Sequence, residues 1–220
     1  MVKRGAFIVF EGLDRSGKST QASILHDRLQ ASNIPVVLLK FPDRTTAIGQ
    51  MIDAYLCSQS ELDDRAVHLL FSANRWELAS TIERHLAAGT AVLCDRYAFS
   101  GIAFSAAKGL PLDWCRAPDI GLPAPDLTLF FDVALAVARA RGGYGEERYE
   151  KEELQKKVRG VFGTIGAQMQ KGKVGVWEEI DASGTMEEVS AKIWGAVGAY
   201  VEAGVDQPLE RLWVDLPLGA

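Results

Sequence analysis

The sequence predicts an α/β fold with a five-stranded parallel sheet flanked by helices, and three observations carry that prediction. Apolar runs alternate with helical stretches along the chain, the pattern of a parallel sheet covered on both faces. All but the last of the runs are nearly continuous in apolar residues, as strands buried on both faces must be. The segment GLDRSGKS, residues 12–19, fits G-x-x-x-x-G-K-[ST] and lies between the first run and a helix, where such a loop wraps phosphate.

The first strand is AFIVF, 6–10, and the helix after the glycine-rich loop covers 18–31. A second strand, VVLLK at 36–40, leads to helices over 45–57 and 62–88, and AVLCD at 91–95 is the third strand. GLPLDWCRAPDIGLPAPD, 109–126, is rich in Gly and Pro and reads as a surface cover. LTLFF at 127–131, helices over 133–140 and 149–169, the strand VGVWEEI at 174–180 and a helix over 186–203 complete the series. With no linker and no internal repeat, residues 1–220 read as a single domain, ending in a tail, 206–220, that Leu209, Leu212 and Trp213 dock onto the core.

Composition excludes several classes. At 220 residues, 48% hydrophobic and 24% charged, the chain buries a full core without metal or disulfide staples. A formal charge of −5 gives no overall basic field, so a nucleic-acid polymer is not an expected partner. Cys57, Cys94 and Cys115 lack metal-ligand spacing, and their odd number fits a reducing cytoplasm. MVKRGAFIVFEG is too short in its apolar run for a signal peptide or a membrane span.

Charge is concentrated where ligands bind in such sheets, beyond the carboxyl ends of the strands. Asp14 and Arg15 follow the first strand, Asp43 and Arg44 the second, and Asp95 and Arg96 end the third. Ser16, Gly17, Lys18, Ser19 and Thr20 form the phosphate cradle and helix start, with Lys18 reaching β/γ-phosphates and the Ser19 hydroxyl on Mg²⁺. Asp95 is placed to hold Mg²⁺ through water. Three arginines at one edge suit more than one phosphate group. Transfer to a phosphate needs positioning and neutralisation rather than a strong base.

Two further stretches point the same way. In LLFSANRWE, Phe71 and Arg75 stand four apart on one helical face, a stacking ring beside a planar donor. RGGYGEERYEKEEL begins at Arg141 and contains Arg148; its first ten residues, about 141–150, read as a hinged lid that keeps water from the transferring group.

FEGLDRSGKSTQ, FPDRTTAIG, HLLFSANRWE, DRYAFSGIAF, GLPAPDLTLFFDV, RGGYGEERYE and DASGT occur in this order over nearly the whole chain, and together they resemble thymidylate kinase of the eukaryotic type. The resemblance implies the P-loop NTPase fold of nucleoside monophosphate kinases, the reaction of ATP with dTMP to give ADP and dTDP with Mg²⁺, and a homodimer. It implies catalytic roles for Arg15, Lys18 and Asp95, and an ATP side that includes Arg141 and Ser183. For dTMP it implies Arg44 and Arg96 at the phosphate, Phe71 stacked on thymine, Arg75 at O4 and Ser100 near N3. Phe41, Gly101 and Phe104 complete that pocket, with Tyr149 against the sugar 2′ position and Asp14 and Gln155 near the 3′-hydroxyl. The chain departs from the family pattern in Glu146 and Glu147 of the lid, in Gly184, and in the residues after LERLW.

Two other classes fit less well. A deoxynucleoside kinase phosphorylates a neutral 5′-hydroxyl and has no use for Arg44 and Arg96 around an acceptor phosphate. A GTP-dependent switch requires an N-K-x-D motif, which the chain lacks, its asparagines being Asn33 and Asn74.

Overall fold

The computed structural model describes residues 3–141, 148–172 and 174–214. Five strands, β1 (Phe7–Gly12), β2 (Val36–Lys40), β3 (Ala91–Asp95), β4 (Leu127–Asp132) and β5 (Val176–Asp181), form one sheet in the order β2-β3-β1-β4-β5. Every pairing is parallel, so all five carboxyl ends lie on one edge. The helices are α1 (Lys18–Ala31), α2 (Ala47–Leu56), α3 (Asp64–Ala87), α4 (Ala98–Ala107), α5 (Leu112–Arg116), α6 (Leu135–Ala140), α7 (Glu152–Lys171) and α8 (Met186–Ala203). None of the described helices is long and apolar enough to cross a membrane.

Alternation within the strands divides the core in two. Ile8 and Phe10 of β1 and Leu127, Leu129 and Phe131 of β4 pack with Leu25 and Leu29 of α1 and Val189, Ile193 and Val197 of α8. Phe7, Val9, Val92, Cys94 and Phe130 face the other way, onto Ile52, Val67, Ile82, Phe99, Ile102, Val158 and Phe162. Central β1 is buried along its whole length, while β2 and β5, at the sheet edges, are partly exposed.

Three expectations change. Residues 98–107 are a helix that the sequence reading did not anticipate, and 109–126 holds α5 and a 3₁₀ turn, Ala117–Asp119, rather than only loop. The helix expected from 149 starts at Glu152. The tail does dock: Leu212 is buried, Leu209 and Trp213 pack on the core, and backbone bonds join Gly121 to Leu212, Leu212 to Leu122 and Ala124 to Glu210.

Candidate active site

The loop between β1 and α1 is built to leave amides free. Gly17, at the N-cap of α1, has φ 95°, which an L side chain resists, and no side chain caps the helix. In contrast, α8 is closed by a reciprocal capping box between Thr185 and Glu188. An uncapped helix start with its positive dipole end is an anion site.

Lys18 is buried in that loop, donating to Leu13 O at 2.5 Å and Ser16 Oγ at 3.1 Å. Burial, with the Arg96 charge next in size, pulls its pKa from 10.5 to about 7, against opposing pulls from Asp95, Asp14 and Glu11. A phosphate at the loop would supply the counter-charge this ammonium lacks.

Ser19 Oγ donates to Asp95 Oδ2 at 2.5 Å, and Asp95 Oδ1 is buried with no hydrogen-bond partner among the described residues. Lys40 Nζ stands 4.0 Å from Oδ2. An orphaned carboxylate oxygen beside a hydroxyl fits a hard divalent cation. No cluster of three or more His, Cys, Asp or Glu able to hold a metal exists among the described residues, so a cation there would need its other ligands from phosphate and water, which suits Mg²⁺.

These groups open onto a cleft of about 420 Å³. Asp14, Arg15, Lys18, Ser19, Thr20, Asp95 and Arg96 line one part, and Phe41, Arg44, Phe71, Arg75, Ser100, Gly101, Phe104 and Tyr149 also face it. The sequence reading therefore placed most of its candidates on one wall or another of a single cavity. Gln155 acts from behind: its Nε2 donates to Asp14 Oδ2 at 2.6 Å and to Tyr149 O at 3.0 Å, and its Oε1 accepts from Asp14 N–H at 3.2 Å.

Arg96 is held in a left-handed backbone conformation, φ 67°, right after β3. It donates to Asp14, to Gly12 O at 3.0 Å and to Ser100 Oγ at 3.0 Å. The Phe104 ring lies 5.4 Å from its guanidinium carbon and stacks on Tyr149 with centroids 5.4 Å apart. Arg44 pairs with Asp53 at 2.6 Å, and its loop is fixed by buried Asn74, whose Oδ1 accepts from Asp43 N–H at 2.8 Å. Arg75 is buried, forking onto Asp119.

Several candidates are engaged by other partners. Arg15 Nε donates to Glu150 Oε1 at 3.0 Å, so its guanidinium is engaged toward the segment leading into α7. Arg148 bonds Glu61 at 2.7 Å and Tyr55 O at 2.9 Å and does not line the cleft. Arg141 ties Ser16 O, at 2.8 Å, to Ala182 O, at 2.6 Å, and with Ser16, Gly17, Thr20 and Gly184 borders a second hollow of about 270 Å³. Ser183 is exposed, bonded to Asp181 at 2.6 Å, and lines neither cavity. Glu146 and Glu147, with the rest of 142–147, lie outside the described residues.

Sequence reasoning missed the residues that hold the site. Glu11, fully buried, accepts from Tyr97 N–H at 2.9 Å and Ser100 N–H at 3.0 Å and bonds the Ser100 hydroxyl, capping α4 from β1. Burial raises its carboxyl pKa, the hydrogen bonds from Ser100 opposing. No local spacing announces Glu11, Asn74, Asp119 or Glu150, because each acts on a distant segment.

A parallel sheet whose phosphate loop opens onto one cleft with Arg44, Arg75 and Arg96 defines a P-loop phosphotransferase of the nucleoside monophosphate kinase class. The family profile described as Thymidylate kinase matches residues 10–193. The chain is 52% identical over 211 residues to thymidylate kinase of Arabidopsis thaliana, covering 96% of this chain and 78% of that protein. It is 44% identical over 212 residues to the Homo sapiens enzyme, covering 96% and 98%. A solved structure of thymidylate kinase from Candida albicans aligns with a TM-score of 0.85 at 38% identity, covering 96% of this chain and 99% of that one. The chain belongs to the thymidylate kinase family.

Proposed function

We propose that the protein transfers the γ-phosphoryl group of ATP to the 5′-phosphate of dTMP, giving ADP and dTDP. The carrying observation is that the phosphate loop and the Phe71–Arg75 face open onto one cleft with Arg44 and Arg96, so two phosphate-bearing ligands meet there. Lys18 and the loop amides hold the donor phosphates, and Arg44 and Arg96 hold the acceptor phosphate, which needs no base because it is already ionised. Arg15, once released from Glu150, lends charge to the group in flight. Phe71 supplies the stacking surface and Arg75 meets the pyrimidine O4. Ser19, and Asp95 through water, would hold Mg²⁺, which when bound would supply positive charge to the phosphates. Tyr149, stacked on Phe104, narrows the sugar side and favours deoxyribose, with Asp14 and Gln155 beside the 3′-hydroxyl. Arg141 serves the adenine side, and Ser183, exposed beside it, contributes less.

Two copies associate in the same reading; Met51, Leu69 and Trp76, exposed on α2 and α3, support it. A sedimentation mass of one chain would remove that part. The reaction is tested by ADP release from ATP against dTMP, dUMP, dCMP, dGMP, AMP and thymidine. The expected result is turnover with dTMP; turnover with thymidine and none with dTMP would overturn the assignment.

A further inference from the structure

Arg75 lines the cleft although it is only 2% exposed, and its surroundings dictate which of its hydrogens can meet a ligand. Its Nε donates to Asp119 Oδ1 at 3.1 Å and its Nη2 to Asp119 Oδ2 at 2.6 Å. This planar fork uses one edge of the guanidinium. Nη1 has no protein acceptor among the described residues. Gly101 of α4 closes the other side: a Cβ there would fall 2.8 Å from Nη2 and 2.9 Å from Nη1. The guanidinium therefore cannot swing away from Asp119 toward α4.

Asp119 is itself immobilised. It is fully buried at the end of the Ala117–Asp119 turn, and Ser72 Oγ, one helical turn before Arg75, donates to its Oδ1 at 2.7 Å. Trp76 Nε1 holds the same turn through Pro118 O at 2.8 Å. Leu122 N–H bonds Asp119 O at 3.2 Å, and the tail pairs with Gly121 and Leu122 just beyond.

We infer, resting on the reading that Arg75 meets the pyrimidine edge of dTMP, that Asp119 is a specificity-determining positioning residue. By occupying Nε and Nη2, it presents Nη1 to the base as a fixed donor, which selects a carbonyl over an amino group at C4. A guanidinium has no acceptor atom. Thymine and uracil offer O4 to it, whereas cytosine would set its amino hydrogens against those of Nη1, leaving buried donors unpaired. Such mismatches discriminate strongly because buried polar groups lose water without gaining a partner. Asp119 also supplies the counter-charge, so Arg75 reads the base as a donor rather than as a bare cation.

The test is Asp119→Asn, which keeps the shape but turns an amide NH₂ toward the guanidinium and removes the counter-charge. Dissociation constants for dTMP, dUMP and dCMP would be measured by calorimetry, with kcat at saturating dTMP and the melting temperature. The expected result is a rise of about tenfold or more for dTMP and dUMP, the scale of one charge-assisted hydrogen bond, and a smaller rise for dCMP. The preference for dTMP over dCMP would narrow while dTMP against dUMP stays fixed and kcat is retained. Equal rises for all three ligands, or no change, would overturn the inference. Ser72→Ala, which leaves the ion pair but removes the hydroxyl that donates to Oδ1, is the second variant: about a threefold narrowing of the same preference is expected, and an unmoved preference would count against the role even if Asp119→Asn fails to fold. Failure of the unaltered protein to phosphorylate dTMP would instead remove the underlying reading.

Discussion

The cleft around Arg75 and the hollow around Arg141 each carry an arginine on the wall, but the two arginines are held in different ways. Arg75 is buried, paired in two places to a buried carboxylate, and walled by a glycine. Arg141 is exposed, and its partners among the described residues are backbone carbonyls, Arg15 O, Ser16 O and Ala182 O. The supporting groups of the cleft are buried pairs, Ser72 with Asp119 beside Arg75 and Glu11 with Ser100 beside Arg96. Near Arg141 the corresponding side chains, Ser183 and Thr185, are exposed. A pocket whose polar groups are fixed before the ligand arrives pays little to order them on binding and can exclude a ligand that fails to pair. The hollow around Arg141 mixes buried Ser16, Gln21 and Ala182 with exposed Thr185 and Met186. On the proposed reading, the difference puts base discrimination on the monophosphate side and leaves the loop amides and Lys18 to hold the triphosphate largely without regard to its base.

Variants can break or sharpen this contrast. The largest effect is expected where the two sides meet: Arg15→Ala should lower kcat by about 10³-fold, the scale of an arginine serving a transferring phosphoryl group, while dTMP still binds. Full activity in that variant, measured at saturating ATP and dTMP, would take Arg15 out of the mechanism. Phe71→Ala should raise the dTMP KM by roughly 10- to 100-fold, the loss of about 1–3 kcal/mol of stacking, and leave the ATP KM in place. An unchanged dTMP KM would move the base elsewhere. Ser183→Ala, on the exposed side, should change the ATP KM by no more than about twofold. A large rise would show that the adenine side is as specific as the base pocket.

Lys18 gives a pH test of the loop. Its folded pKa, about 7, lies below its ordinary 10.5, so between those values the unfolded chain binds more protons than the folded one. The ligand-free protein therefore carries the full cost of burying this charge below about pH 7, and that cost is relieved as pH rises toward 10.5. Phosphate bound at the loop restores the ammonium, so ATP binding at pH 8 should take up a proton. Calorimetry in two buffers of different ionisation enthalpy would show it; identical heats would mean Lys18 is already charged.

The strands were readable because β1, β3 and β4 are buried on both faces and so carry unbroken apolar runs. The phosphate loop was readable because its glycines, lysine and serine are contiguous. Helical spacing put Phe71 and Arg75 on one face, while their thymine roles came only from the family resemblance. Helix α4 was not, since AFSGIAFSAA is buried nearly all round and shows no polar face to set a period, and its start is capped by Glu11 from another element. The 109–126 segment was read as cover, yet it delivers Asp119 to Arg75, 44 positions away in sequence. Arg15 was expected at the phosphates; in the structure it is paired with Glu150, 135 positions on. Local pattern thus picks out groups that line the cleft and misses the groups that hold them, because those contacts close over long stretches of chain.

The central claim is that the base-reading arginine is set before dTMP binds. Hydrogen exchange of the side-chain Nε–H of Arg75, followed by NMR in the ligand-free protein and again with dTMP, tests it most directly. A signal that is already slow to exchange without ligand, and little moved by dTMP, while the Arg141 Nε–H exchanges freely, is the predicted result. An Arg75 Nε–H that exchanges as fast as that of Arg141 until dTMP is added would contradict it.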